Sequence, residues 1–281
     1  MKLLRYGEQG LEKPAITLDN KIYSLANYCE DFDESFFANN GLSLLKQYLA
    51  TKPELVPVSL DVRIGSCIPR PSKIVGIGLN YLDHALSTGE AIPTEPVLFL
   101  KATSALCGPF DPLILPKGSK KTDWEVELAV IIGAKARYVS LDDAEKCIAG
   151  YALINDLSER SYQMEGGGTV DKGKGCDTFA PLGPYLVTDE NDLNVNNLRI
   201  WLRVNGKLMQ DSNTSKLIFK IPFLISYISN YMTLLPGDVI ATGTPLGTGY
   251  RQHPQLFLSS GDSVEAGIDM LGESKQSCVN A

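Results

Sequence analysis

The sequence predicts a mainly β protein of the α+β class, a mixed β roll or sandwich with a few helices. Three observations lead there. From Lys73 onward, apolar runs of strand length recur between Gly and Pro breaks: KIVGIGLN, PVLFLKA, EVELAVIIG, YALIND, PYLVT, LRIWLRVNGKLM and GDVIATGT. Asn205-Gly206 stands between two alternating runs, a strong hairpin signal because both central residues of such a turn need positive φ. The regular βα alternation of a doubly wound sheet is missing.

In chain order, residues 1–65 hold two strand-like pieces, AITL and KIYSL, and one amphipathic run, GLSLLKQYLA. The proline-punctuated TKPELVPVSL follows. This part reads as a small N-terminal α+β subdomain with a linker, and residues 66–281 as the main domain. Within the latter one helix is evident, PFLISYISNYM, with Pro222 in its first turn, where a missing N–H costs little.

With 281 residues, 44% of them hydrophobic and 21% charged, the chain can bury a sizeable core. A net charge of -7 argues against nucleic-acid binding, which depends on clustered Lys and Arg neutralising phosphates. The opening MKLLRYGEQG has no apolar leader segment, and no run of about 18 uncharged apolar residues marks a membrane helix. The six cysteines form no C-x-x-C pair, so neither a zinc ribbon nor a disulfide frame is signalled. A soluble cytoplasmic protein with reduced thiols is the expectation. His84 and His253 are the two histidines, which rules out a multi-histidine metal site.

GGGTVDKGKGC, residues 166–176, places Gly168, Gly173 and Lys174 at phosphate-loop spacing. Gly175, however, stands where that motif needs Ser or Thr. The continuation CDTFAPLGP also denies the loop a following helix, whose N-terminal amides would hold the phosphates. A nucleotide site is therefore disfavoured.

More informative is DWEVELAVIIG. Glu125 and Glu127 are two apart on an apolar strand and so share a face, and Asp156 ends the strand of YALIND. Carboxylates at the edge of an apolar sheet are costly unless a cation neutralises them, and oxygen ligands suit magnesium, manganese or calcium. The alternative is a solvated face paired with Lys120, Lys121 or Arg160.

Taken together, IVGIGLNYLDHA, PVLFLKATSAL, DWEVELAVIIG, INDLSERSYQ, KGCDTF and GDVIATGTPLGTG, in that order, resemble the fumarylacetoacetate hydrolase family over roughly residues 70–250. The E-x-G-G-x-x-x-D-K-G-K segment looks most like a subgroup that includes 2,4-diketo-3-deoxy-L-fuconate hydrolases and proteins labelled ureidoglycolate lyases. The resemblance implies a family-type β fold and a divalent ion, usually Mg2+ with Mn2+ or Ca2+ as alternatives, held by Glu125, Glu127 and Asp156. It makes His84 a general base and Lys174 a catalytic cation. It places Lys101, Arg160, Gln163, Thr178 and Thr244 near a small keto-acid substrate. Many relatives carry Glu three residues after the histidine; Ser87 stands there, and Glu90 is the candidate substitute. A homodimer is implied as well. The implied reaction is hydrolysis of the C–C bond of a 2,4-diketo acid, the tail being an acyl group or a 3-deoxy sugar acid, with pyruvate as a product and the cation as Lewis acid. Oxaloacetate decarboxylation, enol-acid isomerisation, ureidoglycolate cleavage and non-catalytic ligand binding remain alternatives.

Overall fold

A computed structural model describes residues 1–88, 91–188 and 193–281. The mainly β expectation holds. A large mixed sheet contains β1 (Lys2–Tyr6), β2 (Lys13–Leu18), β3 (Lys21–Ser24), β4 (Val56–Val58), β5 (Ile74–Gly78), β6 (Val97–Lys101), β7 (Val126–Ile132), β8 (Ile148–Asn155), β9 (Leu186–Val187) and β10 (Val239–Ala241). Its order is β4-β3-β2-β1-β9-β8-β7-β10-β5-β6. Neighbours run antiparallel except β10 and β5, which are parallel. The second sheet is built on Arg199–Val204, Lys207–Asn213, Ser263–Ile268 and Gly272–Asn280, with Leu113–Leu115 at its edge. Asn205 and Gly206 join its first two strands with φ of 51° and 78°, as the hairpin signal requires.

β7 is buried along its whole length because β8 flanks one side and β10 the other, and the second sheet covers a face. That explains a continuous apolar run where an alternating one would mark a half-exposed strand. The N-terminal strands are not isolated from this layer: β1 pairs with β9 and carries β2 to β4 outward from it.

The GLSLLKQYLA run forms the helix Gly41–Ala50, and Ile221–Ser229 forms the helix with Pro222 at its start. All six cysteines are free thiols, as expected. Among the described residues no helix is long and apolar enough to cross a membrane.

Candidate active site

The site is built on the start of β7 and the end of β8. Residues 123, 125 and 127 share a parity, so their side chains turn to one side of the chain. Register with β8 brings Val126 opposite Asn155, and the Asn155 side chain accepts from the Glu125 N–H at 2.9 Å. Asp156, the next residue, is thereby set beside the two glutamates. Carboxylate oxygens of Glu125, Glu127 and Asp156 lie within 4.8 Å of one another, all three residues buried.

Cations surround them. Lys174 Nζ lies 2.6 Å from both Glu125 Oε2 and Asp156 Oδ2, and Lys101 Nζ lies 2.7 Å from Asp156 Oδ1. Arg160 donates to Glu125 Oε1 at 2.5 Å and to Asp123 Oδ2 at 2.7 Å. Burial pushes the Glu125 carboxyl up, but Lys174 and Arg160 outweigh it and bring it down to about 2. For Lys174 the balance favours the charged form too: burial lowers its pKa, and Asp156 with Glu125 more than reverses that. Lys101 differs, because burial dominates and its pKa falls.

Asp123, Glu125, Glu127 and Asp156 thus face Lys101, Arg160 and Lys174, leaving one uncompensated negative charge in this group. It falls on Glu127. Burial first, then repulsion from Asp156 and Glu125, holds the Glu127 carboxyl well above the usual carboxylate range, although Gly243 N–H donates to it at 2.7 Å. Such a donor set fits a hard divalent cation, since three buried carboxylate oxygens can converge on it and the surplus charge is what a cation removes. Three protein ligands of this kind leave coordination positions open to small oxygen ligands.

His84 comes from the helix Leu82–Thr88. That helix is tied down by Asn80, whose side chain donates to Thr242 O at 2.7 Å and accepts from Phe219 N–H at 2.8 Å. His84 is buried, with Nδ1 3.3 Å from the Thr244 carbonyl. A carbonyl only accepts, so this contact keeps the proton on Nδ1 and the lone pair of the neutral ring on Nε2.

These groups meet in a cleft of about 260 Å³ whose lining includes His84, Glu125, Glu127, Arg160, Lys174 and Thr244. Gln163 also lines it and accepts from Arg160 at 3.0 Å. The Thr244 hydroxyl donates to Val126 O at 2.9 Å and accepts from Gln210 at 2.8 Å, which fastens the 242–249 segment to β7. Lys101 stands behind the cleft, its side chain 0% exposed and spent on Asp156 and the carbonyls of Leu157 and Lys174. Thr178 is apart from the cluster: with φ of 63°, it turns its hydroxyl to accept from Ile114 N–H at 2.8 Å. Glu90 lies outside the described residues.

The segment 166–176 is no phosphate loop. Thr169 caps a one-turn helix, Val170–Lys174, whose last residue delivers the Lys174 ammonium to the carboxylates, and no helix follows it. One residue of the site escaped the sequence reading. Asp123 is fully buried and accepts from Arg160, from Trp124 N–H at 2.9 Å, Gly249 N–H at 2.6 Å and Tyr250 N–H at 3.1 Å. Its parity with Glu125 and Glu127 was the signal that could have found it.

A family model described as fumarylacetoacetate (FAA) hydrolase C-terminal matches residues 73–279. A protein of Burkholderia ambifaria is 48% identical over 284 residues, with 100% of both chains covered. Among solved structures, maleylpyruvate hydrolase from Sphingobium sp. SYK-6, in complex with manganese(II) ion and pyruvate, is 31% identical with a TM-score of 0.83, and the match covers 100% of both chains. The 2-hydroxyhepta-2,4-diene-1,7-dioate isomerase of Mycobacterium marinum is 32% identical with a TM-score of 0.77, covering 100% of this chain and 98% of that one.

Proposed function

The chain belongs to the fumarylacetoacetate hydrolase family, and we propose that it hydrolyses the C–C bond of a 2,4-diketo acid of the acylpyruvate type, giving pyruvate and a carboxylic acid. The observation that carries this reading is the meeting of a three-carboxylate cluster, His84 and Lys174 in one cleft. A divalent cation held by Glu125, Glu127 and Asp156 would supply Lewis-acid polarisation of the 2-oxo end of the substrate. Manganese and pyruvate in the similar maleylpyruvate hydrolase support that assignment.

The chain's own groups account for the remaining steps. His84 Nε2 takes a proton from water as the water oxygen bonds to C4. Lys174 presents an ammonium to the negative charge growing on the C4 oxygen. The C3–C4 bond then breaks, its electron pair leaving as the enolate of pyruvate, and the proton held by His84 returns to C3. Lys174 and Arg160, the latter fixed by Asp123, keep Glu125 ionised.

The similar isomerase supports a second reading, in which a proton is moved on an enol acid without addition of water. Incubation with magnesium or manganese and a panel of acylpyruvates, oxaloacetate and ureidoglycolate, followed by pyruvate and glyoxylate detection, tests both. Pyruvate together with one equivalent of the carboxylic acid is the expected result. Conversion of enol to keto form without pyruvate would transfer the assignment to the isomerase. The reading includes a cytoplasmic homodimer, which light scattering of the purified protein checks as to size.

A further inference from the structure

The cleft has two unlike walls. One carries the carboxylates, their cations and His84; the other is apolar and centres on β6. Side chains alternate along a strand, so Val97, Phe99 and Lys101 share one face of β6. At the inner end, Lys101 is sealed against Asp156. Phe99 comes next, with Lys174 Nζ 5.2 Å from its ring centroid. Val97 reaches the mouth, roughly 13 Å of strand from Lys101 at about 3.3 Å per residue. There it is 56% exposed, and Met164, which also lines the cleft, is 57% exposed. Large apolar side chains left open in a concave site mark a place that a ligand's apolar surface covers.

The adjoining strand is shaped to match. Gly76 and Gly78 of β5 pair in register with Phe99 and Val97. A Cβ added at Gly76 would lie 2.2 Å from Phe99 Cζ, and one at Gly78 3.4 Å from Val97 Cβ. The far edge of the Phe99 ring therefore occupies the space a side chain at 76 would need, which holds the ring in place.

We propose that this face of β6 is the tail subsite, and that the substrate tail is an apolar, uncharged acyl group running outward over Phe99 and Val97. The inference rests on the acylpyruvate reading and deepens it: the substrate class is alkyl- or aryl-tailed 2,4-diketo acids, in place of sugar acids or acids with a second carboxylate. Tyr250 and Arg251 also line the cleft and would favour a polar tail, so the test sets them against the β6 face.

The probes are 2-oxo acids, which lack the 4-oxo group and are not cleaved: pyruvate, 2-oxohexanoate, 2-oxooctanoate, 2-oxoadipate and 2-keto-3-deoxygluconate. Titration calorimetry in magnesium should show affinity rising up to about fourfold per buried methylene along the alkyl series, the equivalent of about 0.8 kcal/mol each. The dicarboxylate and the sugar acid should bind no more tightly than pyruvate. Val97→Ser and Phe99→Ala should flatten the alkyl series, while Leu100→Ser, on the opposite face of β6, should leave it unchanged. Val97 is exposed, so its variant tests the subsite even where Phe99→Ala fails to fold. A flat alkyl series in the wild type, tighter binding of 2-oxoadipate or the sugar acid, no binding of any probe, or an unaltered series in Val97→Ser would overturn the proposal. If the alkyl series behaves as expected and no acylpyruvate yields pyruvate, C–C hydrolysis fails and the tail subsite stands.

Discussion

Glu127→Gln should change the stability of the protein in opposite directions with and without a divalent cation. Glu127 is 1% exposed, and its folded pKa is raised above the unfolded value of 4.5. Between those two values the folded state binds more protons than the unfolded one. The stability of the cation-free protein therefore falls as pH rises above 4.5, down to the folded pKa. Glutamine has nothing to ionise and still accepts from Gly243 N–H, so in EDTA at pH 8 the variant should melt no lower than the wild type, and the gap between the two should narrow at pH 5. Magnesium reverses the order. Loss of a ligand charge should weaken binding at least about tenfold, the scale reported even for losses of supporting contacts. With ligand in excess, tenfold weaker binding removes about 1.4 kcal/mol of stabilisation, or roughly 3–5 °C of the magnesium-induced shift for a domain of this size. Scanning calorimetry at both pH values, with EDTA or with magnesium, reads all four quantities. A variant that is less stable in EDTA, or that keeps the full magnesium shift, would refute the placing of the surplus charge on Glu127.

His84→Ala should lower kcat by roughly 10²–10⁴ while magnesium affinity by calorimetry is unchanged; near-normal turnover would remove the histidine from the role of base. Lys174→Met should cost the cation-free protein about 3–5 kcal/mol, because it leaves Glu125 and Asp156 buried beside a neutral side chain, and part of that loss should return with magnesium. Asp123→Asn removes one of the two counter-charges of the buried Arg160 and leaves it Glu125 alone, so it should lower the melting temperature whether or not magnesium is present; an unchanged melting curve would contradict the central place given to Asp123. ATP should produce no thermal shift, whereas oxalate should stabilise the protein only when magnesium is present; a shift with ATP alone would restore the phosphate-loop reading.

The parts of the fold visible in the sequence are those whose burial is strong and local. β7 and β8 are long apolar runs, and Asn205-Gly206 announces its hairpin by backbone chemistry alone. The run PYLVT marks β9, but its strand partners do not follow from pattern, and β9 is the one that joins β1 to the rest of the sheet, so the continuity of the N-terminal strands with the catalytic layer stayed hidden. Much the same holds for the site. Alternation placed Glu125 and Glu127 together from spacing alone. That Lys101 would face inward to Asp156, or that the Thr244 hydroxyl would be consumed by Val126 and Gln210, depends on contacts between segments distant in the chain, for which a single sequence has no signal.

β6 is an outermost strand of the large sheet, while the carboxylates stand on β7 and β8, with β10 and β5 in between. An edge strand has sheet partners on one side only. Replacing Val97 or Phe99 therefore disturbs side chains at the rim without shifting the register that holds Glu127 opposite Ile154 or Asn155 beside Glu125. At Val97, taste for substrate is thus set apart from reactivity, so a library at position 97 can redirect which tails are accepted while the bond-breaking groups keep their places; Phe99, whose ring centroid lies 5.2 Å from Lys174 Nζ, touches both. Gly76 sets the limit of that freedom, since any residue larger than glycine there must first evict the ring at 99.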